Sequence, residues 1–295
     1  MGNYNKEVQS YWERRGELSR KAIENNHYYL EHKMGQTLHS IDNTIVIDNS
    51  YPFEFQHPGK YRPKVYLVNA TSTDMIKLTR PDHYPKTVVL NFASYRNPGG
   101  KYMEGSQAQE ESLCHESNLY LILREFRHSF YEWNNRNLND GLYQNRALLS
   151  PKVSFKHVED TSRVDVLTCA APNVRYYALN RMSYQDAIAT PEYNATISSR
   201  IKFIMNIVNR YDCVILGAFG CGVFRNPPAK VARTFFSIIA NMRLQKPMDI
   251  YFPIPTSIVN TNFDDFKYEL FEYTDLIEYS VIKDIKYYDK YKYIL

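Results

Sequence analysis

The chain has 295 residues, 44% of them hydrophobic and 23% charged, which is the composition of a folded globular protein rather than a disordered or fibrous one. A net charge of +4 permits polyanion binding without demanding it, and no apolar run approaches the ~20 residues needed to span a bilayer, so no membrane role is expected. Four cysteines without a CxxC pair argue against a zinc site and a disulfide framework, and Met1-Gly2-Asn3-Tyr4-Asn5-Lys6 has neither a secretory apolar core nor a Ser or Thr at the myristoylation position; a reducing, cytoplasmic setting is the expectation.

Residues 7–33 have helical spacing, with Tyr11, Leu18, Ala22, Tyr29 and Leu30 interleaved with charges. They read as a helical extension, residues 1–40, in front of one larger unit, residues 41–295. Thr44 to Ile47 and Val65 to Val68 are short strands. Thr71 to Leu78 is a short helix capped by Thr71 or Ser72. The apolar run Thr87 to Phe92 is a buried strand, and Ala108 to Arg124 is a helix. Arg127 to Asn145 is polar and reads as an irregular loop. Val153 to Phe155 and Val164 to Thr168 are strands, Pro191 to Tyr211 is a long helix, and Cys213 to Leu216 is another buried strand. Pro227 and Pro228 introduce a helix from Ala229 to about Met242, with proline in its tolerated first-turn position. Asp249 to Ile254 is a strand. For the Lys- and Tyr-rich tail, Glu278 to Leu295, strand, helix and loose order all stay open. Alternating buried strands and helices predict an α/β fold of three layers, α/β/α, with a mixed sheet.

Two of the strand–helix junctions are rich in glycine. The first carries Asn97-Pro98-Gly99-Gly100 and, a few residues on, Gln109-Glu110-Glu111. The second is Gly217-Ala218-Phe219-Gly220-Cys221-Gly222-Val223-Phe224. Backbone N–H groups approach an anion closely where no Cβ intervenes, so the two loops are expected to clamp one diphosphate from both sides, at the carboxyl ends of strands. Two carboxylates beside such a cradle raise the electrostatic cost of binding phosphate. A sugar on the diphosphate gives them a use, one holding hydroxyls and the other protonating a glycosidic oxygen. The ordinary alternative is an acidic first helical turn complementing the helix dipole, and the glycine loops weigh against it. Asn97 is read as a ligand of ribose hydroxyls rather than only a turn former. Gly99 and Gly100 are read as amide donors to the diphosphate or the distal ribose. Gly220, Cys221, Gly222 and Val223 are read as a second set of donors, beside Gly217.

Phe92-Ala93-Ser94 with Asn97-Pro98-Gly99-Gly100, and Ala108-Gln109-Glu110-Glu111-Ser112-Leu113-Cys114, resemble the signature of bacterial-type poly(ADP-ribose) glycohydrolases, catalytic members of the macrodomain superfamily. Ala170-Ala171-Pro172-Asn173 and Leu216 to Phe224 are similar to that family's later blocks, in the same order, and the resemblance covers roughly residues 10 to 260. It implies a macrodomain-like fold and hydrolysis of ribose–ribose O-glycosidic bonds in ADP-ribose polymers, without metal or redox cofactor. It makes Glu111 the acid that protonates the leaving 2′-oxygen and then activates water, Glu110 a ribose ligand, and Phe224 an aromatic that presses on the distal ribose. Gln109 is left to hold either the helix start or the ligand. Lys101 stands where the family carries a third consecutive glycine. It either points outward, adds a phosphate contact or narrows the room for a second ADP-ribose unit.

Two further readings stay beside this one: removal of single ADP-ribose units from modified protein or nucleic acid, and ADP-ribose binding without cleavage. An intact Glu110-Glu111 pair speaks against the second. A Cys114–His115 nucleophile is discarded, because adjacent helix positions diverge by about 100°. A dinucleotide-dependent dehydrogenase is discarded for want of G-x-G-x-x-G followed about 20 residues on by an acidic residue.

Overall fold

The run Thr87 to Phe92 is buried along almost its whole length because it lies at the centre of an eight-stranded sheet. The computed structural model describes residues 2–52, 59–79, 86–156, 164–179 and 181–285. Its strands are β1 (Ile45–Asp48), β2 (Lys64–Val68), β3 (Thr87–Phe92), β4 (Arg146–Ser150), β5 (Val164–Cys169), β6 (Cys213–Ile215), β7 (Asp249–Pro253) and β8 (Glu278–Ile282). Across the sheet they run β1-β4-β5-β3-β6-β7-β2-β8. The β1–β4 and β4–β5 pairs are antiparallel and the others parallel, so the sheet is mixed, as the alternation predicted.

The helices are α1 (Gly2–His32), α2 (Met34–Asn43), α3 (Ser72–Leu78), α4 (Gln109–Glu116), α5 (Leu119–Glu125), α6 (Glu132–Arg136), α7 (Val174–Ala178), α8 (Tyr184–Ala189), α9 (Pro191–Val208), α10 (Pro228–Ala240) and α11 (Asn262–Phe271). They cover both faces of the sheet, because successive strand side chains point to opposite sides. Val88 and Leu90 pack with Ile201, Ile204, Phe235, Phe236 and Phe266 from α9, α10 and α11. Val89 packs instead with Ala22, Met75, Leu113 and Ile122 from α1, α3, α4 and α5. Strands buried on both faces need no polar alternation, which is why β3 and β6 read as continuous apolar runs. Helix α1 is tied to the rest through Asn25, whose Nδ2 donates to Tyr102 Oη at 3.1 Å, Cys114 O at 3.0 Å and Ser117 O at 3.1 Å.

Three expectations need correction. The helix over Ala108 to Arg124 is two helices. Ser117 breaks it, its Oγ donating to Leu113 O at 2.7 Å and accepting from Leu119 N at 3.1 Å. Short hydroxyl side chains compete with the helical ladder in this way, and the break lets Asn118 Oδ1 accept from Ser154 N. The stretch Arg127 to Asn145 is no loop but a π-helical turn (Arg127–Tyr131), then α6, then a 3₁₀ turn (Asn139–Gly141). Phe130 and Tyr131 are buried there, and the Arg146 guanidinium lies 4.3 Å from the Trp133 ring centre. Val153 to Phe155 forms no strand, only a bridge between Ser117 and Phe155. The strand in the tail is β8, while residues 286–295 lie outside the described residues. Among the described residues no helix is long and apolar enough to cross a membrane, and all four thiols are free.

Candidate active site

Strands β2, β3, β5, β6 and β7 end at one edge of the sheet, and a cavity of about 400 Å³ lies there, lined by Thr71, Phe92, Ser112, Ala171, Gly220, Phe224 and Pro253 among others. Each strand sends a different loop into it, the usual position for a ligand in an α/β sheet. Thr71 is fixed by a reciprocal cap: its Oγ1 accepts from Asp74 N and its N donates to Asp74 Oδ2, both at 3.1 Å.

Strand β6 is short and stops before β3 does. It pairs with β3 only over Thr87 to Val89, so Leu90 O and Phe92 N are left without a strand partner on that side. The Gln109 carboxamide supplies one, accepting from Phe92 N at 2.8 Å and donating to Leu90 O at 2.8 Å and to Ser72 Oγ at 3.1 Å. Gln109 thus holds the start of α4 against the end of β3, while still forming part of the cavity wall.

That clamp brings the next two residues under the first glycine turn. Glu110 and Glu111 are 3% and 6% exposed. Glu110 Oε1 accepts from Asn91 Nδ2 at 3.2 Å, and its Oε2 from Ser94 N at 2.7 Å. Burial, with the like charge of Glu111 as a smaller cause, pushes the Glu110 carboxyl up to about 8 against these hydrogen bonds. Glu111 Oε1 accepts from Lys101 N at 2.9 Å, but Glu111 Oε2 is buried with no hydrogen-bond partner among the described residues. Buried polar atoms are normally satisfied, and this oxygen is an exception; neither Glu110 nor Glu111 is among the residues that line the cavity, which is reached by their neighbours Gln109 and Ser112.

The two glycine loops differ in what their amides do. In the first loop the Gly100 amide donates to Asn97 O at 3.1 Å, the Lys101 amide to Glu111, and the Gly99 amide faces Glu110. These donors are occupied by the turn and the carboxylates, leaving none for a diphosphate. Asn97 is exposed on this turn and lies outside the cavity wall. The second loop carries the free donors. Cys221 N is taken by Ala218 O at 3.1 Å, but Gly220, Gly222 and Val223 have no backbone acceptor for their N–H among the described residues. Gly217, at φ +115°, makes the turn out of β6, where a Cβ would meet Phe92 and Pro253 O. Phe224 lies against Tyr143, edge to face at 6.1 Å, and Tyr143 stacks on Tyr95 at 4.0 Å. The Lys101 side chain points outward, 64% exposed, with Nζ 3.8 Å from Glu104.

Two positioning residues had no signal in the sequence. Asn226, 1% exposed, donates to Pro172 O at 2.8 Å and Gly220 O at 3.0 Å and accepts from Tyr193 Oη at 3.1 Å, tying the second glycine loop to the segment after β5. Arg200 on α9, 1% exposed, donates to Asn145 Oδ1 at 2.7 Å and to the carbonyls of Leu142 and Ala170. A lone Asn after a glycine loop and a lone Arg in a helix are ordinary surface residues until the fold buries them.

A carboxylate pair on a helix N-terminus, packed under a glycine turn at the end of a mixed α/β sheet, defines a macrodomain-like hydrolase. Residues 16–157 match the family model described as microbial-type PARG, catalytic domain. The fold matches poly(ADP-ribose) glycohydrolase from Deinococcus radiodurans in complex with ADP-ribose, at 25% identity and a TM-score of 0.69, over 80% of this chain and 97% of that one. It also matches the enzyme from Thermomonospora curvata, at 22% identity and a TM-score of 0.70, over 86% of this chain and 99% of that one. No curated protein matches the sequence. Over residues 16–157 the chain is thus similar to the microbial-type PARG catalytic domain, and its fold is similar to that of the bacterial poly(ADP-ribose) glycohydrolases.

Proposed function

We propose that this protein hydrolyses the ribose–ribose O-glycosidic bonds of ADP-ribose polymers and releases ADP-ribose, with Glu111 as general acid and then general base. The observation that carries the assignment is the unpartnered Glu111 Oε2, on the same carboxyl as an oxygen held by Lys101 N at 2.9 Å. Both oxygens of Glu110 already accept protein donors, so Glu111 is the carboxyl with an atom left for a substrate. In the reaction Glu111 gives its proton to the leaving 2′-oxygen as the bond from the distal ribose carbon breaks. The same carboxylate then takes a proton from the water that attacks the oxocarbenium carbon. Glu110, fixed by Asn91 and Ser94, keeps the start of α4 in register and lies beside the ribose. The free amides of Gly220, Gly222 and Val223 serve the diphosphate, and Phe224 packs against the distal sugar. Residues 1–40 act as a helical extension to the catalytic unit 41–295. The free thiols fit a reducing, cytoplasmic setting.

The test is release of ADP-ribose from the polymer, from mono-ADP-ribosylated protein and from mono-ADP-ribosylated DNA, for the wild type and Glu111→Gln. Release from polymer that falls by at least about a thousandfold in the variant, with ADP-ribose affinity kept, supports the assignment. Release only from a mono-modified protein or nucleic acid would replace the polymer as substrate and keep the acid. A variant that cleaves normally would remove Glu111 from the mechanism.

A further inference from the structure

Tyr143 holds a backbone conformation that aromatic residues avoid, with φ at +59°. It closes a short segment in which Asn139, Asp140 and Gly141 also have positive φ. Glycine suits that conformation and Asn and Asp tolerate it, but an aromatic residue adopts it only where the surroundings impose it. Here they do. The Tyr143 amide donates to Leu138 O at 3.1 Å, and Asn173 N donates to Gly141 O at 2.8 Å. The buried Arg200 guanidinium brackets the position, donating to Leu142 O at 3.3 Å on one side and to Asn145 Oδ1 at 2.7 Å on the other.

The strained turn places one ring. Tyr143 is 6% exposed and lies outside the wall of the first cavity. Its ring stacks on Tyr95 at 4.0 Å, the planes within 10° of parallel, and meets Phe224 edge to face at 6.1 Å. Those two neighbours belong to different loops of the site. Tyr95 follows Ser94, whose amide holds Glu110 Oε2 at 2.7 Å, and leads into the turn at Asn97 to Gly100. It is fixed in turn by Asn134, whose Nδ2 donates to Tyr95 O at 2.9 Å, and by its own hydroxyl, which donates to Asn137 O at 3.1 Å. Phe224 ends the second glycine loop and forms part of the cavity wall. The three rings make a row from the catalytic turn to the second loop, with Tyr143 in the middle.

We propose that Tyr143 is a positioning residue: its ring is the spacer that fixes the second glycine loop, through Phe224, relative to the catalytic turn, through Tyr95. It thereby sets where the distal ribose stands with respect to Glu111. The assignment rests on reading Glu111 as the acid and Phe224 as the neighbour of that ribose. Close-packed rings do not compress, so loss of the middle one lets the two loops shift against each other, and a displacement of about 1 Å is enough to slow a reaction by about a hundredfold.

The measurement is the initial rate of ADP-ribose release over a range of polymer concentrations, with a thermal melt and calorimetric titration of ADP-ribose, on the full chain. Tyr143→Leu is expected to lower kcat by at least about thirtyfold while KM and ADP-ribose affinity stay within about threefold, because the diphosphate contacts persist and the reacting carbon is displaced. Tyr143→Phe keeps the ring and retains kcat within about threefold. Tyr143→Asn eases the backbone, since Asn tolerates positive φ, yet loses kcat as the leucine variant does; a position that mattered for the turn alone would keep its rate. Tyr95→Leu removes the neighbouring ring from a different segment and gives the same split, which decides the matter if a Tyr143 variant fails to fold. An unchanged kcat in the folded leucine variants, or a raised KM in place of the fall in kcat, would overturn the inference. So would a Tyr143→Phe variant as slow as Tyr143→Leu, because the hydroxyl and its 3.4 Å contact with Asn173 Nδ2 would then be what matters. Those outcomes leave the catalytic reading in place, whereas a wild type that releases no ADP-ribose from any substrate would overturn that reading and this inference with it.

Discussion

A Cβ built on Gly100 would stand 2.6 Å from Glu111 Oε1 and 3.0 Å from Glu110 Oε2. The turn therefore passes so close to both carboxylates that only hydrogen fits, and its φ of +57° favours glycine independently. Gly100→Ala is expected to push the Glu111 carboxyl off its Lys101 contact and lower turnover by at least about a hundredfold, since small misplacements of a reacting group are costly. The backbone strain lowers stability by only about 1–2 kcal/mol. Turnover on polymer, measured beside a thermal melt, separates the two effects. A melt lowered as expected with turnover kept would show that the carboxylate position is not what the glycine protects.

Glu110 gives stability a pH dependence of defined sign. Its folded carboxyl titrates near 8, above the ordinary value of 4.5, because burial disfavours the charge. Between those values the folded protein holds a proton that the unfolded chain has lost, so this contribution to stability is full below about 4.5 and disappears as pH rises through about 8. Melting temperatures measured from about pH 5 to about pH 9 should fall with rising pH in the wild type and change less in Glu110→Gln. A wild-type slope equal to that of the variant would mean that Glu110 is ionised in place, held by Asn91 and Ser94.

Much of this architecture was legible because it lives in local pattern. The buried runs of β3 and β6, the capping pair Thr71 and Asp74, and Pro228 at the start of α10 each carry their own signal. Glu110 and Glu111 were recognisable by their block. What the loops do with their amides was not. Glycine spacing reveals where backbone can approach an anion, and a carboxylate is as good an anion as a phosphate. Only the placement of α4, set by the Gln109 clamp on β3, decides that the first loop faces the carboxylates. The break at Ser117 and the burial of Asn226 and Arg200 likewise depend on partners brought close by the fold.

Lys101 is expected to be nearly silent in catalysis. Its side chain is 64% exposed, and the contact that matters, the amide to Glu111 Oε1, belongs to the backbone. With φ −111° the position does not require glycine. Lys101→Gly should leave turnover on polymer within about threefold and lower stability by about 0.5–1 kcal/mol, through the greater freedom of the unfolded chain. A loss of turnover much beyond that would give the ammonium a role at the substrate that its outward pairing with Glu104 does not suggest.

Asn226 is expected to act on binding rather than on the chemical step. Its Nδ2 holds Pro172 O and Gly220 O while its Oδ1 receives the Tyr193 hydroxyl, all in a site 1% exposed. Asn226→Ala leaves the Pro172 carbonyl and the Tyr193 hydroxyl without these partners, while Gly220 O keeps the backbone N–H of residue 226 at 3.0 Å, and should cost about 2–4 kcal/mol of stability. The loop bearing the Gly220, Gly222 and Val223 amides then loses its anchor to the segment after β5. If those amides serve the diphosphate, as proposed, they are remote from the bond that breaks, and KM should rise by about tenfold with a smaller change in kcat. Asn226→Asp keeps the volume and an acceptor for Tyr193 but loses both donors, so it should behave like the alanine variant. Initial rates over a range of polymer concentrations check this: a fall in kcat at constant KM would move the second loop from holding the ligand to acting in the transition state.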